Sequence, residues 1–247
     1  MAPSPWSWSL AWDEVLVSAL AAVAYVAAAR RFPASGARIG AFAASQLLVV
    51  AVFVTPVGTL SLHYLLSAHL FQNVALAEWA PALAVLGLSQ GMAAALARSR
   101  LVRGLTRPLV ALPLWLATYD VWHVPAVYDA ALRHRPLLHL EHGTYFLAGA
   151  LLWWSVFQRE PRRVGAGAKS AYLFGAFVLA SPIGLLLALL PSPIYDFYVE
   201  APRLRGLSPL TDQQIAGLIM AGSEAVVLFG VCIYFLLRFL AEEEAAG

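Results

Sequence analysis

Seven runs of mostly apolar residues, each close to the length that crosses a lipid bilayer, constrain this chain more than any other feature. A spanning helix needs roughly 20 predominantly apolar residues. The runs lie at about 14–29, 39–57, 60–80, 107–122, 137–157, 171–190 and 215–239. They occupy most of the 247 residues, of which 61% are hydrophobic and 12% charged. Soluble domains carry roughly 25% charged residues, so this composition has too little polar surface for water and the bilayer is the natural solvent. In lipid, backbone polar groups must be satisfied within the segment, which selects helices. The expected fold is therefore all-α: a polytopic membrane protein, a seven-transmembrane-helix bundle forming one domain over 1–247. The stretch 90–103 mixes apolar residues with Arg98, Arg100 and Arg103 and suits a helix lying in the membrane interface.

Basic residues accumulate in cytoplasmic loops, and here they alternate. Arg30, Arg31 and Arg38 follow the first run. Arg98, Arg100, Arg103 and Arg107 follow the third, and Arg159, Arg162, Arg163 and Lys169 follow the fifth. The connection between the second and third runs has none, while those after the fourth and sixth have two each, Arg133 with Arg135 and Arg203 with Arg205. That pattern predicts the N-terminus outside and the C-terminus inside, with AEEEAAG as a solvated inner tail. The opening MAPSPWSWSLAWDE has no Lys or Arg, so no cleavable signal peptide is expected. Trp6, Trp8 and Trp12 are expected membrane anchors.

On this orientation all six histidines fall on the outer side. His63 and His69 lie in the outer half of the third run, His123 ends the fourth, His134 sits in the loop after it, and His139 and His142 open the fifth. Ionisable residues near hydrocarbon are functional candidates by default, and six gathered on one side read better as a site than as separate interfacial residues. His139 and His142 are three apart and are expected to share a helix face and a ligand. Glu141 between them is expected to point elsewhere, as a hydrogen-bonding partner or toward the headgroups. In the third run His69, Gln72 and Asn73 form a polar stripe, with Glu78 further in. The last run opens Thr211-Asp212-Gln213, where Thr211 or Asp212 suits a helix cap. Gln213, Gly217, Met220 and Glu224 then recur at helical spacing. Gly217 and Met220 suit helix packing, and Met220 equally suits a metal. Glu224, deep in the run, must be neutral or paired. Imidazoles with an optional thioether and no thiolate suit copper, zinc or iron. The single Cys232 excludes a disulfide framework or a thiolate cluster within one chain.

Three blocks of the chain resemble the CtaG family of assembly proteins for caa-type haem–copper cytochrome c oxidases. The segment SAHLFQNVALAEWAPALAVLGLS, starting at Ser67, is similar to the family's His-Met-x-Gln-His segment and following turn. WHVPAVYDAALRHRPLLHLEHGTYFLAGALLWWSVF, starting at Trp122, matches its His-x-Pro-x-x-Tyr-Asp and His-x-x-Glu-His elements. SPLTDQQIAGLIM, starting at Ser208, matches its Asp-Gln-x-x-Gly-x-x-Met. Leu70 and Asn73 stand where the family shows Met and a second His. The resemblance implies a non-catalytic assembly factor, a metallochaperone that binds copper, as Cu(I), and helps its insertion into the oxidase copper centre. Residue by residue it implies a metal role for His69, His123, His139, His142 and Met220, supported by Gln72, Asp212 and Gln213, while Asn73, Glu78 and Glu224 are supporting polar candidates from the stripes on their own helices. The implied partners are the lipid bilayer, oxidase subunit I and other assembly factors, in a bacterial plasma membrane with the site facing the periplasm or exterior. No nucleic-acid partner is expected, and a homo-oligomer is left open.

Other functions fit the same residues. A membrane zinc hydrolase would use three histidines and a metal-activated water, with Asp212 or Glu141 as base. A b-type haem protein would use two axial histidines on facing helices. A metal-free scaffold for oxidase assembly would need none of them as ligands.

Overall fold

The computed structural model describes residues 2–246, and among these the regular structure is helical, without strands. In order, the helices are α1 (Trp12–Arg31), α2 (Gly36–Val54), α3 (Pro56–His63), α4 (Leu66–Val74), α5 (Ala80–Gly87), α6 (Gln90–Leu96) and α7 (Arg100–Leu105). They continue as α8 (Pro108–His123), α9 (Pro125–Arg133), α10 (Arg135–Phe157), α11 (Ala166–Leu189), α12 (Asp196–Glu200), α13 (Pro209–Glu224) and α14 (Gly230–Glu244). Their starts are set by local chemistry. Proline supplies a pre-set φ and lacks an N–H at the first turn, as in α3, α8, α9, α10 and α13. Ser89 accepts from the Met92 amide to cap α6, and Ser208 accepts from the Thr211 amide to cap α13.

Five helical stretches are long and apolar enough to cross a membrane: Trp12–Arg31, Gly36–Val54, Leu66–Gly87, Ala166–Leu189 and Pro209–Glu244. The runs expected as fourth and fifth spans form α8, of 16 residues, and α10, of 23. The first is short, and the second carries His139, Glu141, His142 and Thr144 in its N-terminal half. These are the two helices that hold three of the candidate ligands.

The third run differs from its expected extent. It breaks at Tyr64 and Leu65, where the backbone leaves the helix, and resumes at Leu66. The apolar composition runs straight through the break. What makes it is a tertiary contact: Asp212, at the start of α13, accepts hydrogen bonds from the Leu66 and Ser67 amides at 2.6 and 3.2 Å. The apolar helical stretch that follows reaches Gly87, further along the chain than the expected end at about residue 80. The interfacial segment divides into α6 and α7, the turn between them held by Arg103, whose guanidinium donates to the Ala97 and Arg98 carbonyls.

Two of the long helices are wound more loosely for one stretch each, in π-helical segments at Ala75–Trp79 and Ala225–Phe229. Such a bulge inserts an extra residue, shifts the faces after it, and is common at functional sites. The helices carrying them cross their neighbours closely. A Cβ at Gly149 on α10 would lie 2.2 Å from the Ala77 carbonyl oxygen in the first π segment. On the other side, a Cβ at Gly217 of α13 would lie 2.4 Å from the Gly184 carbonyl of α11. Small residues at crossings let backbones meet where lipid provides no hydrophobic drive. Replacing Gly149 by Val should therefore lower the thermal unfolding midpoint of the detergent-solubilised protein, at a cost of about 3 kcal/mol or more. Gly143→Ala, where nothing lies within 4 Å of the added carbon, should leave it unchanged or slightly raised.

Candidate metal centre

The ends of α4, α8 and α10 that carry the histidines face one another at one end of the bundle. On α10 the buried residues Leu138, Glu141, His142, Tyr145, Gly149 and Leu152 recur at three- and four-residue steps, so they form the inward stripe. His142 and Glu141 lie on it, and His139 falls off it.

The consequence is a compact centre of His69, Glu141 and His142. One potential ligand atom from each lies within 4.8 Å of the others, and all three residues are buried. His69 Nε2 is 3.6 Å from Glu141 Oε1, an ion-pair distance longer than a hydrogen bond. The rings of His69 and His142 are 6.0 Å apart. Asn73 Nδ2 donates to Glu141 Oε1 at 2.8 Å and holds the carboxylate toward His69. Glu141 is thus a member of the centre, correcting the expectation that it points away. Asn73, where the resembling family has a histidine, orients the carboxylate. Leu70 is fully buried in the apolar core.

His123 sits at the end of α8 beside this group. Its Nδ1 is 2.7 Å from the Tyr119 carbonyl, four residues back. That contact makes Nδ1 the protonated nitrogen and leaves Nε2 as the lone-pair donor. Its ring is 6.2 Å from that of Tyr128, and the His69 ring is 5.4 Å from the same tyrosine. Tyr195 stacks on Tyr128 at 4.1 Å and donates its hydroxyl to the His123 carbonyl. Tyr198, 6.3 Å from His69, donates to the Ser61 carbonyl. This tyrosine wall was not recognised in the sequence. The α10 stripe would have pointed to Glu141 and Tyr145; nothing local pointed to Tyr195 or Tyr198.

The polar residues divide by whether their atoms are used. Asp212 caps α4 and also accepts from Ser67 Oγ at 2.5 Å, so it orients the helix that bears His69; the cap of its own helix is Ser208. Gln213 accepts from the Ile194 amide and donates to the Ser192 carbonyl, fixing the link before α12. Gln72 donates to the Val52 carbonyl. Asp129 accepts from the Asp196 and Phe197 amides and caps α12. By contrast both nitrogens of His69 and of His142, His123 Nε2 and the Tyr128 hydroxyl have no hydrogen-bond partner among the described residues. Buried polar atoms left unpaired cost about 1–3 kcal/mol each. A neutral imidazole offers one lone-pair nitrogen, so these three rings bring up to three nitrogen donors beside the Glu141 carboxylate, residue types that can ligate a metal.

The other expected residues lie elsewhere. His139 is 40% exposed and meets Asp13 at 3.1 Å and Glu14 at 3.6 Å, on the α1 side of α10. It does not join His142 in the buried centre. Met220 is buried where α13 crosses α11, packed against Gly184. His63 and His134 are exposed. Glu78 and Glu224 form a second buried layer at the two π segments, roughly 13 Å of helix rise inward from His69. There Tyr119 donates to Glu224 at 2.7 Å, Trp79 donates to Ser223, and Ser223 donates to Glu78 at 3.1 Å.

The cap on α4 is separable from the donors. Asp212→Ala should cost about 1–2 kcal/mol in thermal stability, as lost helix caps do, while every nitrogen donor stays in the chain. An unchanged melting midpoint would contradict the capping role.

Neither a curated protein nor a solved structure matches this chain. The family model of the cytochrome c oxidase caa3 assembly factor (Caa3_CtaG) matches residues 21–242, nearly the whole length and including every residue of the histidine centre. The chain belongs to that family of oxidase assembly factors, a set of membrane helices that associates with the oxidase in a lipid bilayer.

Proposed function

We propose that this protein carries copper, as Cu(I), at the histidine end of its bundle and passes it to subunit I of the oxidase. The observation that carries the reading is the convergence of His69, His142 and Glu141, with imidazole nitrogens that have no hydrogen-bond partner among the described residues. The ion is cargo, so its ligation must be exchangeable. Two imidazoles and one carboxylate, with His123 Nε2 adjacent, give a low-coordinate set without the tight thiolate grip that would retain it. Glu141 offsets the ion's charge inside a low-dielectric site, and Asn73 fixes its direction. The tyrosine wall excludes water. In this reading Met220 packs helices, and the protein catalyses no reaction.

The arrangement of the chain follows the same proposal. α8 and α10 cross the membrane with the five more apolar stretches, giving seven spans with the N-terminus outside and the histidine centre at the outer face of a bacterial plasma membrane. The alternation of basic loops supports that orientation, and it presents the centre to the side from which copper arrives.

Purified protein loaded with Cu(I) should hold about one copper per chain. The double variant H69A/H142A should lose it, whereas H139A should retain it, because His139 stands apart with Asp13 and Glu14. Equal copper in the wild type and H69A/H142A would remove the centre from copper binding. In cells, H69A/H142A should yield oxidase depleted of copper while the chain still inserts in the membrane.

A donor set of two histidines and one carboxylate is also that of many catalytic zinc sites, which keeps a membrane hydrolase as a second reading. It would need a base, and Asp212 is engaged in capping α4. Tight zinc with turnover of a lipid ester or amide would favour it.

A further inference from the structure

At the end of the bundle opposite the histidines, a cavity of about 750 Å³ opens between α2, the inner end of α10, α11 and α14. Arg38, Arg159, Arg163, Lys169 and Arg238 line it, against one carboxylate, Glu242. Five cations less one anion leave four positive charges in one recess, more than the net charge of +2 on the whole chain. Some of these groups are committed to the protein. Arg38 donates to the Leu86 and Leu88 carbonyls, and Arg238 pairs with Glu242 at 2.9 Å. Arg159, Arg163 and Lys169 have no carboxylate within ion-pair distance among the described residues, and Lys169 lies 4.8 Å over the Phe235 ring. Basic loops alone would spread such charges through solvent; here they converge on a cavity.

The walls decide which anion suits it. Phe157, Val231 and Phe235 supply apolar surface beside the cations. The cavity also runs along α14 from Glu242 and Arg238 down to Val226, which is 76% exposed on the outside of the bundle. The twelve residue steps from Val226 to Arg238 correspond to about 18 Å at 1.5 Å per residue. A free phosphate ion uses the basic end of such a groove and leaves the rest empty. A phosphodiester with acyl chains uses both, and basic recesses between helix ends are the usual seats of anionic headgroups.

We propose that this cavity is a binding site for an anionic phospholipid. Its phosphate sits among Arg159, Arg163 and Lys169, and an acyl chain follows α14 past Phe235 toward Val226. The site is separate from the histidine centre and does not depend on copper. Occupancy would tie the 158–165 link to α11 and α14 at the membrane's inner edge, fixing the end of α10 whose other end holds His142.

The test is native mass spectrometry of the intact detergent-solubilised protein titrated with phosphatidylglycerol, phosphatidylcholine or inorganic phosphate. Phosphatidylglycerol should give a discrete adduct that survives activation energies at which phosphatidylcholine is lost, and phosphate should neither bind discretely nor displace it at equal concentration. R159Q/R163Q/K169Q should weaken that adduct on the order of 100-fold, since each surface cation contributes about fivefold, while its helical circular dichroism stays unchanged. A variant that loses its helical signal is replaced by the single changes R159Q and R163Q, each expected to weaken the adduct by about fivefold. Equal retention of the two lipids, displacement by phosphate alone, or full binding by the variants would each overturn the proposal.

Discussion

Inside hydrocarbon a polar group has no water to fall back on, and that constraint sorts the side chains of this protein. Most of its buried polar groups are engaged by other parts of the chain. Asp212 caps α4, Asp129 caps α12, Gln213 ties down the link before α12, and Gln72 reaches the Val52 carbonyl. These residues build the site without being its donors. His69, His142 and His123 are buried to the same degree, yet they keep nitrogens that no described residue uses. The division separates scaffold from ligand by chemistry already on the helices, and it is the basis for reading the centre as a place where an ion is held.

The centre depends on contacts between residues distant in the chain. Asp212 reaches Leu66 and Ser67 across about 145 positions and caps the first turn of α4, the helix that bears the buried His69. Asn73 of α4 then holds Glu141 of α10. Gly149 lets α10 approach Ala77 closely enough for these side chains to meet. Local helix preference, long-range capping and close packing each set one coordinate of the same three donors.

The helical character of the chain was legible because twenty-residue apolar runs have few other ways to fold. The gathering of histidines at one end was legible too, from their positions at alternate helix ends. Which of them converge was harder to read. His139 and His142 are one turn apart, and a difference of about 60° around the helix decides that His142 faces the core while His139 meets Asp13 and Glu14 on α1. Only the full buried stripe of α10 resolves that angle. The break at Tyr64 and Leu65 left no mark in the composition, since its cause sits on α13. Asn73 looked like a missing ligand and is instead the group that aims Glu141. The tyrosines come from helices and links whose meeting is a property of the fold.

The central claim is that nitrogens of His69 and His142, with an oxygen of Glu141, bind one ion in a single pocket. X-ray absorption at the copper edge of the Cu(I)-loaded protein tests it most directly. The account predicts a shell of light nitrogen and oxygen scatterers in low coordination, with the multiple-scattering signature of imidazole and no sulfur. A sulfur shell, or copper without imidazole features, would contradict it.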